Sequence, residues 1–169
     1  MFRTIRISSL IVCLAWVLSA CRQEPAQPPQ TVQPANPAKE SYTPGLGEIM
    51  TLNQMRHIKL WFAGKATNWP LASYELDELE EGFGDVATFH PTHKDAEMPI
   101  PALLDKIMKE PIQQVRSAID AKNQTQFNQA FDNLTAGCNS CHQATKFGFN
   151  VVTRPSANPY SNQTFEPAK

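Results

Sequence analysis

The chain is poor in almost everything that would mark it as a binder of nucleic acid or a membrane channel. Charge of one sign is missing. Its 169 residues carry 15 Lys and Arg against 16 Asp and Glu, a formal net charge of −1, so there is no basic footprint for nucleic acid. Long apolar runs are missing except for one at the N-terminus, which excludes a polytopic membrane protein. No stretch alternates apolar and polar residues over the length of a strand, and no segment repeats. No phosphate-binding loop and no nucleophile motif is present. Glycine is scarce at 7, whereas proline reaches 14 and cysteine 4. The length fits one modest domain with appendages.

The N-terminal run is the first thing present. Arg3 and Arg6 precede an apolar stretch, Ile7 to Ala20, broken only by Ser8, Ser9 and Ser19. Its 14 residues would rise about 21 Å as a helix, short of the roughly 30 Å hydrocarbon layer. It reads as an export signal, residues 1–20, removed on maturation. It ends Leu18-Ser19-Ala20-Cys21, which resembles the bacterial lipobox. That resemblance implies acylation of Cys21 and a lipid-anchored mature chain. Arg22 follows Cys21, which by analogy with lipoprotein sorting favours the outer membrane, facing the periplasm. Cys13 falls in the removed segment. Loss of Arg3 and Arg6 leaves 13 − 16 = −3 as the mature charge.

Residues 21–44 form a second region. Six of the 23 residues from Arg22 to Pro44 are proline, among several Gln and Ala. So little large apolar surface cannot offset the ordering entropy. This segment is expected to be a disordered, partly extended tether.

The remainder, from Gly45 onward, is long enough for one core. Four helices are expected: about Glu48–Ala66, Pro70–Phe83, Pro101–Lys122 and Asn123–Lys146. The second carries the stripe Ala72, Leu76, Leu79, Phe83. In the third, Leu104, Ile107, Met108, Ile112, Val115 and Ile119 repeat at 3.6 residues, and Pro111 should kink or split it. Residues 87–99 read as a loop and 147–169 as an irregular tail with three prolines. Four helices on short connections predict an all-α antiparallel four-helix bundle spanning 45–146.

The chemistry lies in Cys138-Asn139-Ser140-Cys141-His142. C-x-x-C-H is the attachment signature of c-type haem. Thiols at i and i+3 stand on one helix face, where they can add across two vinyl groups of one porphyrin edge. His142 can then reach the iron. The motif continues an apolar stripe, Phe127, Phe131, Leu134, Cys138, Cys141, which a flat apolar ring would complete. The export signal sends the chain to the compartment where such attachment occurs. A Cys138–Cys141 disulfide would close a tiny loop and stabilise little. A thioredoxin-type pair would open a helix rather than sit late in one. Zinc would need ligands that no second cysteine pair supplies.

A haem motif on the last of four helices, with Lys146 four residues beyond, resembles the four-helix-bundle c-type cytochromes, the cytochrome c-prime group and its low-spin relatives. That resemblance implies one covalent haem c held by Cys138 and Cys141, with His142 as proximal iron ligand. It also implies a first helix facing the other side of the iron. Compact cytochromes with an N-terminal motif draw a methionine ligand from downstream. Here 169 − 142 = 27 residues follow, none of them Met or His, so that arrangement is excluded. Bundles of this group often pair, which makes a homodimer a candidate assembly, although no face is apolar enough to single out.

On the first helix, Met50, Met55 and His57 are the candidate distal ligands. Met55 and His57 point 200° apart at 100° per residue, so only one can face the haem. His57 lies on the side with Met50, Gln54, Ile58 and Trp61 and is preferred, then Met50. His90, His93, Met98 and Met108 are weaker candidates. Arg56, Lys59 and Lys65 read as a solvated face or as propionate partners. Trp61, Trp69, Phe62 and Tyr74 read as core aromatics, and Phe147 and Phe149 as candidate covers for the ring. The expected function is one-electron transfer to a periplasmic redox partner protein, rather than enzymatic catalysis. The alternative is nitric oxide or carbon monoxide binding at an open iron. A small peroxidase would need a distal acid–base group, and only His57 offers one.

Overall fold

A computed structural model describes residues 42–168. The signal segment, Cys21 and nearly all of the tether lie outside the described residues. Among those described there are five helices and no strand: α1 Leu46–Lys65, α2 Trp69–Phe89, α3 Ile100–Ile107, α4 Lys109–Asp120 and α5 Gln124–Ala144. None is long and apolar enough to cross a membrane.

Local sequence sets most boundaries. Asn68 caps α2, its Oδ1 accepting from Leu71 N at 3.3 Å, and Pro70 occupies the first turn, where no N–H is needed. Asn123 caps α5 in the same way, accepting from Gln126 N at 3.1 Å. With so little glycine, three helix ends are turned by other residues at positive φ: Thr67 after α1, Lys122 after α4 and Lys146 after α5. Each makes the paired backbone bonds of a Schellman motif, as in Phe147 N to His142 O and Lys146 N to Gln143 O.

The expected third helix is two. Pro111 would drive its ring into the carbonyl of residue 107 in a continuous helix. The chain breaks at Met108 instead, so Pro111 falls in the first turn of α4. The expected second helix is longer than anticipated, reaching Phe89 rather than Phe83. Gly82 and Gly84 lower its propensity, but Val86 is buried beside Ile49, Ile100 and Leu103, and that packing carries the helix on. The folded body also begins before Gly45, because His90 Nε2 donates to Pro44 O at 2.9 Å.

Contacts fix how the helices run. Gln124 Nε2 donates to Lys65 O, Trp61 packs on Phe127 and Phe131, His57 reaches Thr135, and Met50 shares a cluster with Cys141 and Ala144. Numbers fall on α1 as they rise on α5, so the two are antiparallel. The α1–α2 pair is antiparallel too, with Arg56 bonded to Glu75 and Glu78 and Asn53 against Gly82. The main core joins Leu60, Trp61, Leu76, Val115, Phe127, Phe131 and Leu134.

The tail, 147–168, has no helix or strand, yet it docks on the body. Arg154 pairs with Asp132 and lies 4.4 Å over the Trp61 ring. Phe165 is buried against Phe62, and its carbonyl accepts from Asn68 Nδ2 at 3.1 Å.

Candidate functional site

At one end of the helices a cavity of about 460 Å³ opens between α1, α2, α3, α5, the 90–99 loop and the tail. This is within the size range of sites for small molecules and cofactors, roughly 300–1,000 Å³. Cys138, Cys141 and His142 all line it. Their convergence follows from α5 alone, since i, i+3 and i+4 share one face. Upstream on that face, Phe127, Phe131 and Leu134 are wholly buried. The apolar stripe is therefore closed by protein for its first half and opens onto the cavity for its second.

Both cysteines are free thiols. Burial, then the neighbouring Cys141, pushes the Cys138 thiol up to about 12, and burial raises Cys141 as well. Both are therefore neutral at pH 7. His142 is held from behind, with its Nδ1 2.6 Å from the carbonyl of Asn150. A carbonyl only accepts, so Nδ1 carries the proton and the Nε2 lone pair is left as a ligand. Metal-bound histidines are oriented by this same kind of outer bond. Asn139, between the two cysteines, exchanges two bonds with Val152: Nδ2 donates to Val152 O and Val152 N donates to Oδ1, each at 2.8 Å.

The opposite wall is α1, through Leu46, Gly47, Met50, Asn53, Gln54 and His57. His57 is 3% exposed, and burial lowers it to about 4, so it is neutral. Its Nε2 is 2.9 Å from Thr135 Oγ1. The single Thr135 proton goes to Phe131 O at 2.9 Å, which makes His57 Nε2 the donor and leaves the lone pair on Nδ1. Thr135 stands two turns before His142, about 10 Å along the axis. In the antiparallel pairing the α1 residue level with His142 is Met50, already clustered with Cys141. Met55 does not line the cavity. His93 and Met108 do; His93 packs against Phe147, the rings tilted and 5.1 Å apart. His90 also lines it but is tied to Pro44, and Met98 packs in the cluster around Ile49 and Val86.

Several polar and aromatic side chains differ from expectation. Arg56 is no solvated residue: it pairs with Glu75 at 3.1 Å and Glu78 at 2.6 Å, and Glu75 is 1% exposed. A buried carboxylate needs such a partner, and the pairing leaves Arg56 engaged away from the cavity. Lys59 lies over the Tyr160 ring. Tyr74 is exposed rather than core, with Arg56 over its ring. Phe147 lines the cavity, whereas Phe149 faces outward.

Sequence reasoning missed three residues in or beside this site. Asn150 contributes through its backbone, which no side-chain pattern reveals. Thr135 was overlooked although it sits one turn before Cys138. Asn53 is buried, lines the cavity, and has no partner for its Nδ2. Its place one turn before His57 was the available signal. Comparison with protein-family models, with curated proteins and with solved structures finds no match for this chain.

Proposed function

We propose that this chain is a membrane-tethered c-type cytochrome that carries single electrons in the periplasm, built as a four-helix bundle whose third arm is broken into α3 and α4. One observation carries the reading: His142, its Nδ1 tied to Asn150, and the Cys138 and Cys141 thiols converge on one largely apolar cavity. These donors fit haem c. Two thiols would hold a porphyrin edge, an imidazole nitrogen is available as a ligand, and apolar walls would cover the ring. When bound, haem c supplies a one-electron couple at its iron. The chain's own residues exclude water with Leu79, Phe83, Val86, Ile100 and Leu104 and keep the His142 tautomer fixed. The lipid anchor at Cys21, the outer-membrane placement, the redox partner and a homodimer belong to the same proposal.

On α1 the register favours Met50 as a second residue that would hold the group. His57 is committed to Thr135 and lies further along the bundle. A second reading, capture of nitric oxide or carbon monoxide, draws support from Asn53, whose buried amide has no partner and lines the same cavity.

Absorption spectra of the mature protein, oxidised, reduced and with carbon monoxide, test both. Electron transfer with Met50 ligation predicts a low-spin spectrum insensitive to carbon monoxide. Met50→Ala should then convert it to a high-spin, carbon monoxide-binding form, and His57→Ala should leave it unchanged. The reverse pattern for the two variants would make His57 the ligand. A wild-type spectrum that is high-spin and shifts with carbon monoxide would favour gas capture. A colourless protein would defeat both readings.

A further inference from the structure

The segment beyond α5 does more than cover the cavity. The Schellman turn at Lys146 reverses the chain. Asn150 N then donates to Phe147 O at 2.8 Å, and this tight turn presents the Asn150 carbonyl to His142 Nδ1. Two residues on, both backbone polar groups of Val152 are taken by the Asn139 side chain. Asn139 and His142 are three residues apart, neighbours on the α5 surface. Residues 147–152 therefore form a closed strap. It leaves the helix at its C-terminus, bonds the His142 carbonyl through Phe147 N and the His142 ring through Asn150 O, and is pinned back to the helix by Asn139 one turn earlier. Phe147, Asn150 and Val152 are also cavity wall.

We infer that Asn139, the first of the two residues between the cysteines, is a positioning residue for His142, acting through the strap. It does not touch the imidazole. It fixes where the Asn150 carbonyl stands, and that carbonyl sets the tautomer and basicity of the ligand nitrogen. The position would otherwise read as a free spacer whose only task is to separate two thiols. An amide is required there because the clamp needs one donor and one acceptor on a short side chain; Ala supplies neither and Asp supplies only the acceptor. The inference rests on the proposed function, since the ligand it positions is an iron ligand.

The physical consequence has a sign. A donated Nδ1–H bond makes the imidazole more basic and favours the ferric state. Loosening the strap weakens that bond and favours the ferrous state, so the midpoint potential rises. Outer-sphere partners of this kind are worth on the order of tenfold, which for one electron corresponds to about 59 mV.

The test uses the mature haem-loaded protein and three variants: Asn139→Ala, Asn139→Asp and Arg154→Ala. Amide exchange at Val152 reports the clamp, and the midpoint potential reports its effect on the iron. Asn139→Ala is expected to speed Val152 exchange and raise the potential by about 59 mV, with Asn139→Asp intermediate. Arg154→Ala breaks the tail's ion pair with Asp132, two residues beyond Val152 and without touching the clamp bonds, and is expected to loosen the tail beyond the clamp without moving the potential. Faster Val152 exchange with an unchanged potential in the Asn139 variants would overturn the inference. Equal potential shifts in the Asn139 and Arg154 variants would overturn it as well, because general loosening would then suffice. A wild-type chain that never takes up haem would remove the proposed function and this role together, a result distinct from a haem-loaded protein whose potential ignores Asn139.

Discussion

The two ends of the helical body are built from the same α5 stripe and finish it in different ways. At the α5 N-terminal end, Phe127 and Phe131 are wholly buried against Trp61 and Trp69, and Phe165 of the tail packs on Phe62 nearby. At the other end the same face presents Cys138 and Cys141 to a cavity, backed by a smaller cluster of Ile49, Val86, Ile100 and Leu103. A core that closes on itself at one end and stays open around two thiols and an imidazole at the other is divided by task. One end holds the fold and the other leaves a cavity of ligand size. His57 and Thr135 mark the boundary.

Truncation should expose that division most strongly. Phe131→Ala, at the closed end, is expected to cost about 3–5 kcal/mol in denaturant unfolding. Phe83→Ala, half-buried on the cavity wall, should cost about 1 kcal/mol. Comparable losses at the two sites would erase the distinction.

The boundary should respond to acid. His57 is neutral in the fold and titrates near 4, against about 6.5 when unfolded. Between these values the unfolded chain binds more protons, so this contribution is fully present above pH 6.5 and is lost as pH falls toward 4. At 1.36 kcal/mol per unit the loss approaches about 3 kcal/mol. Unfolding free energy measured from pH 7 to 4 should fall accordingly, and His57→Leu should flatten that fall.

A further contrast concerns glycine. Alanine is normally the better helix former, but a Cβ at Gly64 would run into the Phe127 ring and one at Gly82 into the Asn53 amide. Each substitution should cost about 1–3 kcal/mol. Only Gly82→Ala, by displacing a cavity-lining residue, should also alter the absorption spectrum. A melting temperature raised by either change would contradict the packing described.

What the sequence made legible follows the periodic signals. The Phe127, Phe131, Leu134, Cys138, Cys141 stripe marked both α5 and the site on it, because an apolar face of period 3.6 and a thiol pair at i, i+3 are side-chain patterns. Pro111 announced the break between α3 and α4. The extension of α2 to Phe89 was hidden behind Gly82 and Gly84, where local propensity yields to the burial of Val86. In sequence Arg56 reads as solvated or as a propionate partner because its actual partner, Glu75, lies on another helix. The strap was illegible because its contact with His142 is made by a backbone carbonyl. The tail's prolines pointed to irregular structure, correctly, but gave no sign that irregular chain would be anchored by Asn139, Arg154 and Phe165.

The central claim is that Cys138 and Cys141 bind one haem covalently. Intact mass spectrometry of the mature protein, produced in cells with an active c-type maturation system, tests it most directly. The expected mass is raised by one haem that survives denaturation, with no added mass in the Cys138→Ala, Cys141→Ala double variant. A wild-type mass equal to that of the polypeptide and its lipid alone would contradict it.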